Sequence, residues 1–120
     1  MGWRIEITSA AKEDQRAIFR HVVAVHLEHL NAGKAEAAMR GRAAVQRTMA
    51  AMDRLAEVPC IGTARPDLAP NLRHVTLDGT VLWFTPLAES RTVRIEAVFS
   101  RGQDHFSRML ARIMGEGGTT

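Results

Sequence analysis

The side chains best suited to chemistry are arginines and histidines gathered in the second half of the chain. Arg65 lies in "GTARPDL", Arg73 and His74 in "LRHVTL", Arg94 in "VRIEAVFS", and Arg101 and His105 in "SRGQDHF". A guanidinium grips a phosphate or carboxylate through two parallel N–H bonds and keeps its proton. A histidine, with an unperturbed pKa of about 6.5, can accept or donate a proton near neutrality. Such a set suits docking onto an anionic partner. With His105 as acid or base it would also suit proton transfer at a phosphate held by Arg73 and Arg101. Lysine and tyrosine chemistry are out of reach there, because the chain's lysines are Lys12 and Lys34 and it has no tyrosine.

Each of these residues also has a purely structural use. Arg65 stands two positions before Asp67 and can pair with it. Arg73 can bridge Glu96 across neighbouring strands, which would contribute roughly 0.2–1 kcal/mol. His26 falls beside the apolar stripe of a helix and is expected to be packed, whereas His21 and His29 are expected in solvent. Trp83 and Phe84 sit inside the continuous apolar run "VLWF" and read as core. No histidine pair comes with cysteine or carboxylates at metal-ligand spacing, so neither a metal nor a cofactor is expected. Cys60 is the one cysteine. It cannot form an internal disulfide, and it places the chain in a reducing compartment, the cytoplasm.

Stepping outward to the elements, Trp3, Ile5 and Ile7 alternate with Arg4, Glu6 and Thr8, the pattern of a short half-buried strand. Thr8 or Ser9 can cap the helix that follows, with Glu13 and Asp14 near its positive end. From Ala10 to Leu30 the period is helical, with Ile18, Phe19, Val22, Val23, Leu27 and Leu30 on one stripe. Asn31 and Gly33 can adopt the left-handed backbone that stops a helix. A second helix spans about 34–57, with Ala38, Val45, Met49, Met52 and Leu55 on its apolar face and an i,i+4 pair of Glu36 with Arg40. Gly41 weakens its middle but allows close approach to the first helix. So short a connection makes an antiparallel helical hairpin.

Pro59 begins a loop through "PCIGTARPDLAPN". Three strands follow, over 72–77, 80–85 and 91–100, the first two joined by Asp78-Gly79, a two-residue hairpin signal. The last strand places Val93, Ile95, Ala97 and Phe99 on one face. It leaves the sheet at Ser100-Arg101-Gly102, and Asp104 can cap a final helix containing Phe106, Met109, Leu110 and Ile113. The fold class is therefore α+β: an N-terminal strand, a helical hairpin over one face of a three-strand antiparallel meander, and a C-terminal helix. Residues 1–114 form one domain and 115–120 a flexible tail.

At 120 residues and 46% hydrophobic content the chain suits one domain with an ordinary core. Its net charge of +3 comes with acids interspersed among the arginines, which argues against a continuous nucleic-acid track. No apolar run approaches the ~20 residues of a membrane span, and no membrane partner is expected.

The order β-α-α-β-β-β-α resembles the RelE/ParE superfamily of bacterial toxins. The resemblance is carried by the strand and "SAAKEDQRAIFRHV" helix, "RLAEVPCIGTARPDL", "NLRHVTLDGTVLWFTP" and "VRIEAVFSRGQDH". Leu55, Pro59, Gly62, Arg65, Leu68, Leu72, Arg73 and Asp104 match places of the ParE branch. The chain departs from it with Phe84-Thr85 where Tyr-Arg is common, and with Ser100 where a histidine is common. The resemblance implies a toxin of a type II toxin–antitoxin pair, associated with plasmid stabilization and growth inhibition and neutralised by a cognate antitoxin.

Two activities follow from it. ParE-like members inhibit DNA gyrase by binding; Arg65, Arg73, Arg94 and Arg101 would then face the target, with no catalytic residue. RelE-like members cut messenger RNA on the ribosome; Arg73, Arg101 and His105 would then be the catalytic set. The lack of tyrosine and of late lysines favours the first. A non-toxic adaptor of the same fold is the third reading. Both a homodimer and a toxin–antitoxin hetero-oligomer stay open.

Overall fold

Thr8 turns the chain from strand into helix and ties both to the sheet. Its hydroxyl oxygen accepts the Ala11 N–H at 3.2 Å as the N-cap, and its own O–H donates to the Ile95 carbonyl at 2.8 Å. Before it runs β1, Arg4–Ile7; after it runs α1, Ser9–Glu28. In this computed structural model, which describes residues 2–116, there follow α2 (Lys34–Glu57), β2 (Thr63–Ala64), β3 (Arg73–Leu77), β4 (Thr80–Leu87), β5 (Thr92–Ser100) and α3 (His105–Ala111). A π-helical turn, Arg112–Glu116, extends α3. Part of the expected tail, 117–120, lies outside the described residues.

The five strands lie in the order β1-β5-β4-β3-β2, with β1 parallel to β5 and every other pair antiparallel. The expected meander is thus present as β3-β4-β5, and the opening strand pairs with its last member. The two-residue edge strand β2 lies inside what the sequence presents as loop. β4 is the central strand of the sheet, and its residues Thr80–Thr85 are all buried.

Helices α1 and α2 form the antiparallel hairpin over one face of the sheet. Gly41 makes their close approach possible: a Cβ there would come within 2.7 Å of the Phe19 ring and 2.9 Å of Val23. Buried Gln15 donates from α1 to the buried Thr48 hydroxyl at 2.9 Å, so the two polar side chains satisfy each other at the seam. The stop between the helices uses Asn31 at φ 55°, while Gly33 is extended and serves as the N-cap of α2. Glu36 and Arg40 stand 3.7 Å apart, as their spacing suggests. Leu27 and Leu30, expected on the buried stripe, are 40% and 60% exposed. The stripe therefore continues past the length that the sheet covers.

The hairpin from β3 to β4 turns at Asp78 and Gly79, both at positive φ, and this sets Arg73 opposite Phe84 and His74 opposite Trp83. Between β4 and β5 the register breaks. Trp83 pairs with Ala97 but Phe84 with Ile95, so Glu96 is the extra residue of a β-bulge. The bulge corrects the expected alternation of the last strand. Val93, Ile95 and Val98 join the core under the helical hairpin with Leu82, Phe84, Met52 and Leu55. Ala97 and Phe99 fall on the opposite face, in a second cluster with Leu72, Val81, Trp83 and Met109 that α3 covers. A second correction follows from strand order. β4 separates β3 from β5, so Arg73 does not reach Glu96; Arg94 pairs with Glu96 at 3.0 Å instead.

Candidate functional site

The α3 face of the sheet gathers rings. Trp83 is fully buried and donates its indole N–H to His105 Nδ1 at 3.1 Å. A ring nitrogen that accepts cannot carry the hydrogen, so the neutral imidazole of His105 bears it on Nε2. His74 stacks on Trp83 with centroids 4.6 Å apart and lies 5.5 Å from His105. Phe106 meets Trp83 edge-on at 6.3 Å, and the Arg65 guanidinium sits 4.5 Å above the Phe106 ring. Burial, reinforced by the adjacent His105 and Arg65, holds the pKa of His74 below the usual imidazole value.

Most of the expected binding arginines have internal partners. Arg65 holds Asp67 through two bonds of 2.8 and 3.1 Å, as its sequence spacing suggests. This contact keeps the Asp67 carboxyl below its ordinary range and the guanidinium above its own. Arg73 points away from the ring cluster and donates to the Ile61 and Gly62 carbonyls at 3.1 and 3.0 Å, pinning the loop beneath β2. Arg94 and Thr85 both donate to the Glu96 carboxylate, at 3.0 and 2.9 Å.

Arg101 is different. It stands exposed beyond the end of β5, where its backbone N–H bonds the Gly79 carbonyl, and among the described residues its guanidinium has no ion-pair partner. Gly102 at φ 95° turns the chain there, and Asp104 caps α3 by accepting the Ser107 N–H, which lowers its own pKa. Arg101, Arg73 and His105 are therefore not brought together: the two arginines line separate clefts, and His105 belongs to the ring cluster. His26 donates from Nδ1 to the Val22 carbonyl in a half-buried position, and His21 and His29 are exposed.

One important constellation has no sequence signal. Asp14 on α1 and Arg112 after α3 form a bidentate pair of 2.8 and 3.0 Å across the free upper edge of β5. Asp14 also accepts the Val98 N–H, and Arg112 donates to the Glu96 carbonyl. β1 pairs with β5 only as far as Ile95, so the same side of β5 beyond it is open to pairing, and Asp14 and Arg112 cover it there. A groove on the helical hairpin, reaching Ile7 at the end of β1, has Ile7, Phe19, Val45 and Met49 along its floor and Lys12, Arg16, Arg20 and Arg42 around it. Among the described residues no group of three or more His, Cys, Asp or Glu side chains is placed to hold a metal, and no helix is long and apolar enough to cross a membrane.

Solved structures with the same arrangement of strands and helices place the fold. A chromosomal ParDE toxin–antitoxin system from P. aeruginosa superposes with a TM-score of 0.59 and 22% identity, over 82% of this chain and 96% of that one. The fold is that of the RelE/ParE toxins. A mutant of the E. coli toxin RelE in the free state matches with a TM-score of 0.57 and 13% identity, over 95% of this chain and 99% of that one. The toxin–antitoxin complex RelBE2 from Mycobacterium tuberculosis matches at 0.53 and 17%, over 86% and 95%. No protein-family model and no curated protein matches the sequence. The RelE/ParE likeness thus lives in the packing of a hairpin on a meander, which many sequences can satisfy.

Proposed function

We propose that this chain is the toxin of a type II toxin–antitoxin pair, of the ParE-like kind: in the cytoplasm it arrests growth by binding a macromolecular target, DNA gyrase, and a cognate antitoxin neutralises it. The observation that carries this reading is the dispersal of the candidate catalytic residues. Phosphodiester cleavage needs a base, an acid and a phosphate-binding cation around one site. Here Arg73 clamps a loop, Arg101 lines a cleft of its own, and His105 accepts a hydrogen bond from Trp83. Binding needs no such convergence, and Arg101 is free to take part in it.

The ParDE and RelBE likenesses support an antitoxin as the partner. The groove on the helical hairpin suits one. Its apolar floor would take the apolar face of an amphipathic segment, and the basic residues around it would meet acidic flanks.

Supercoiling by purified gyrase is expected to fall as the chain is added and to recover with the antitoxin. Ribosome-dependent cleavage of messenger RNA, with supercoiling untouched, would overturn the proposal in favour of the RelE-like activity. Expression is expected to stop growth, and co-expression of the neighbouring small gene to restore it; indifferent growth would leave a non-toxic adaptor.

A further inference from the structure

Where β5 ends, a cleft of about 510 Å3 opens between α1 and the turn into α3. Its volume is in the range of roughly 300–1,000 Å3 typical of small-ligand sites. One wall is apolar, made by Ala17 and Ile18 of α1, and Val98 and Phe99 of β5 lie buried behind it. Three nitrogen-rich side chains line the rest: His21, Arg101 and Arg108, all exposed.

Two cations of this cleft are not neutralised by any described residue of the chain. Arg16, Arg20, Arg40, Arg65, Arg94 and Arg112 each pair with an acid of the chain. Among the described residues Arg101 and Arg108 pair with none, and both line the one cleft. Its single acid, Asp14, already has both oxygens on Arg112 and one on the Val98 N–H. The cleft therefore offers two unneutralised guanidinium groups and an imidazole beside an apolar wall, and no free carboxylate.

We infer that this cleft binds a nucleoside monophosphate, the phosphate held by Arg101 and Arg108 and the base laid against Ala17 and Ile18 of α1. Paired guanidinium groups recognise the tetrahedral oxyanion through parallel N–H bonds. The apolar wall supplies what a bare anion cannot use. An acidic peptide would present several carboxylates along an extended backbone, for which a bounded cleft with two arginines is a poorer fit. The inference is independent of the gyrase reading, because it concerns the isolated chain and a small ligand.

Isothermal titration of the purified chain with adenosine 5′-monophosphate, inorganic phosphate and adenosine tests it. The expected result is saturable binding of the monophosphate, at least tenfold tighter than either phosphate or adenosine, and weakened by salt. Arg101→Ala and Arg108→Ala should each weaken it at least tenfold, whereas Arg47→Ala, which removes an exposed charge on α2, should leave it unchanged. Thermal melting of each variant without ligand confirms that it folds. No heat of binding at millimolar monophosphate overturns the inference. So does equal affinity for inorganic phosphate, or a glutamate-rich peptide that binds more tightly, or binding that survives loss of both arginines.

Discussion

The two faces of the sheet are built on opposite terms. Under the helical hairpin the core is apolar and closed, with Leu82, Phe84, Val93 and Ile95 inaccessible to solvent, and the buried polar side chains Gln15 and Thr48 at the helical seam bond each other. Under α3 the core carries polar handles. Trp83 is equally buried, but its indole N–H is matched to His105, His74 lies against its ring, and Arg65 closes the cluster from outside. The difference teaches where the stability lies. A long hairpin can shed water from a whole sheet face, whereas the seven residues of α3 cover only part of the other and leave half-exposed rings at its border.

The comparison can be broken most directly by truncating one aromatic ring on each face. Phe84→Ala, on the hairpin side, is expected to lower unfolding free energy by about 3–5 kcal/mol through lost burial and a residual cavity. Phe106→Ala, half-buried at the border of the other face, should lose only about 1–2 kcal/mol. Urea denaturation reads both, and equal losses would show that α3 closes its face as tightly as the hairpin does. Gly41→Ala probes the hairpin seam. Helix propensity favours alanine by about 1 kcal/mol, but the new methyl group collides with Phe19 and Val23. Overpacking of this kind costs typically about 1–3 kcal/mol, so net destabilisation is expected.

The polar face should reveal itself through pH. His74 has a folded pKa below its ordinary value of 6.5, chiefly because burial opposes its charge. Between the folded and unfolded values the unfolded chain binds more protons, so stability rises with pH through that window. The contribution is full above about 6.5 and is lost as pH falls below it. The urea midpoint should therefore drop from pH 7.5 to pH 5.5 in the wild type and change less in His74→Gln. A flat wild-type profile would remove the distinction between the faces. The smallest effect is expected at the rim. Asp67→Ala breaks a surface pair whose aspartate is 59% exposed, and exposed pairs contribute roughly 0–1 kcal/mol. The midpoint should barely move, and a large loss would mean that Asp67 positions Arg65 over Phe106.

Much of the architecture is legible in local sequence because the signals are themselves local. Thr8 and Asp104 cap helices through side chains that reach only three residues on, and Arg65 finds Asp67 two residues away. Asp78-Gly79 also sets the β3–β4 register, and with it the contact of His74 and Trp83 at the heart of the ring cluster. That pairing could have been read from the hairpin turn alone. The β4–β5 register could not, because the bulge at Glu96 leaves no mark in the alternation. It moved Ala97 and Phe99 to the face opposite Val93 and Ile95.

By itself, then, the sequence determined the α+β class, the helical hairpin, the turns and the local caps, since these depend on periodicity and on groups a few residues apart. Only the tertiary structure decided which cations are available. Strand order kept Arg73 from Glu96, the bulge placed Glu96 beside Arg94, and chain ends 98 residues apart met as Asp14 and Arg112. The physical reason is that an ion pair depends on distance in space, which helix docking and strand register fix only when the whole chain has folded. Arg101 and Arg108 were left without an acid by that same folding, and both line the cleft at the end of β5.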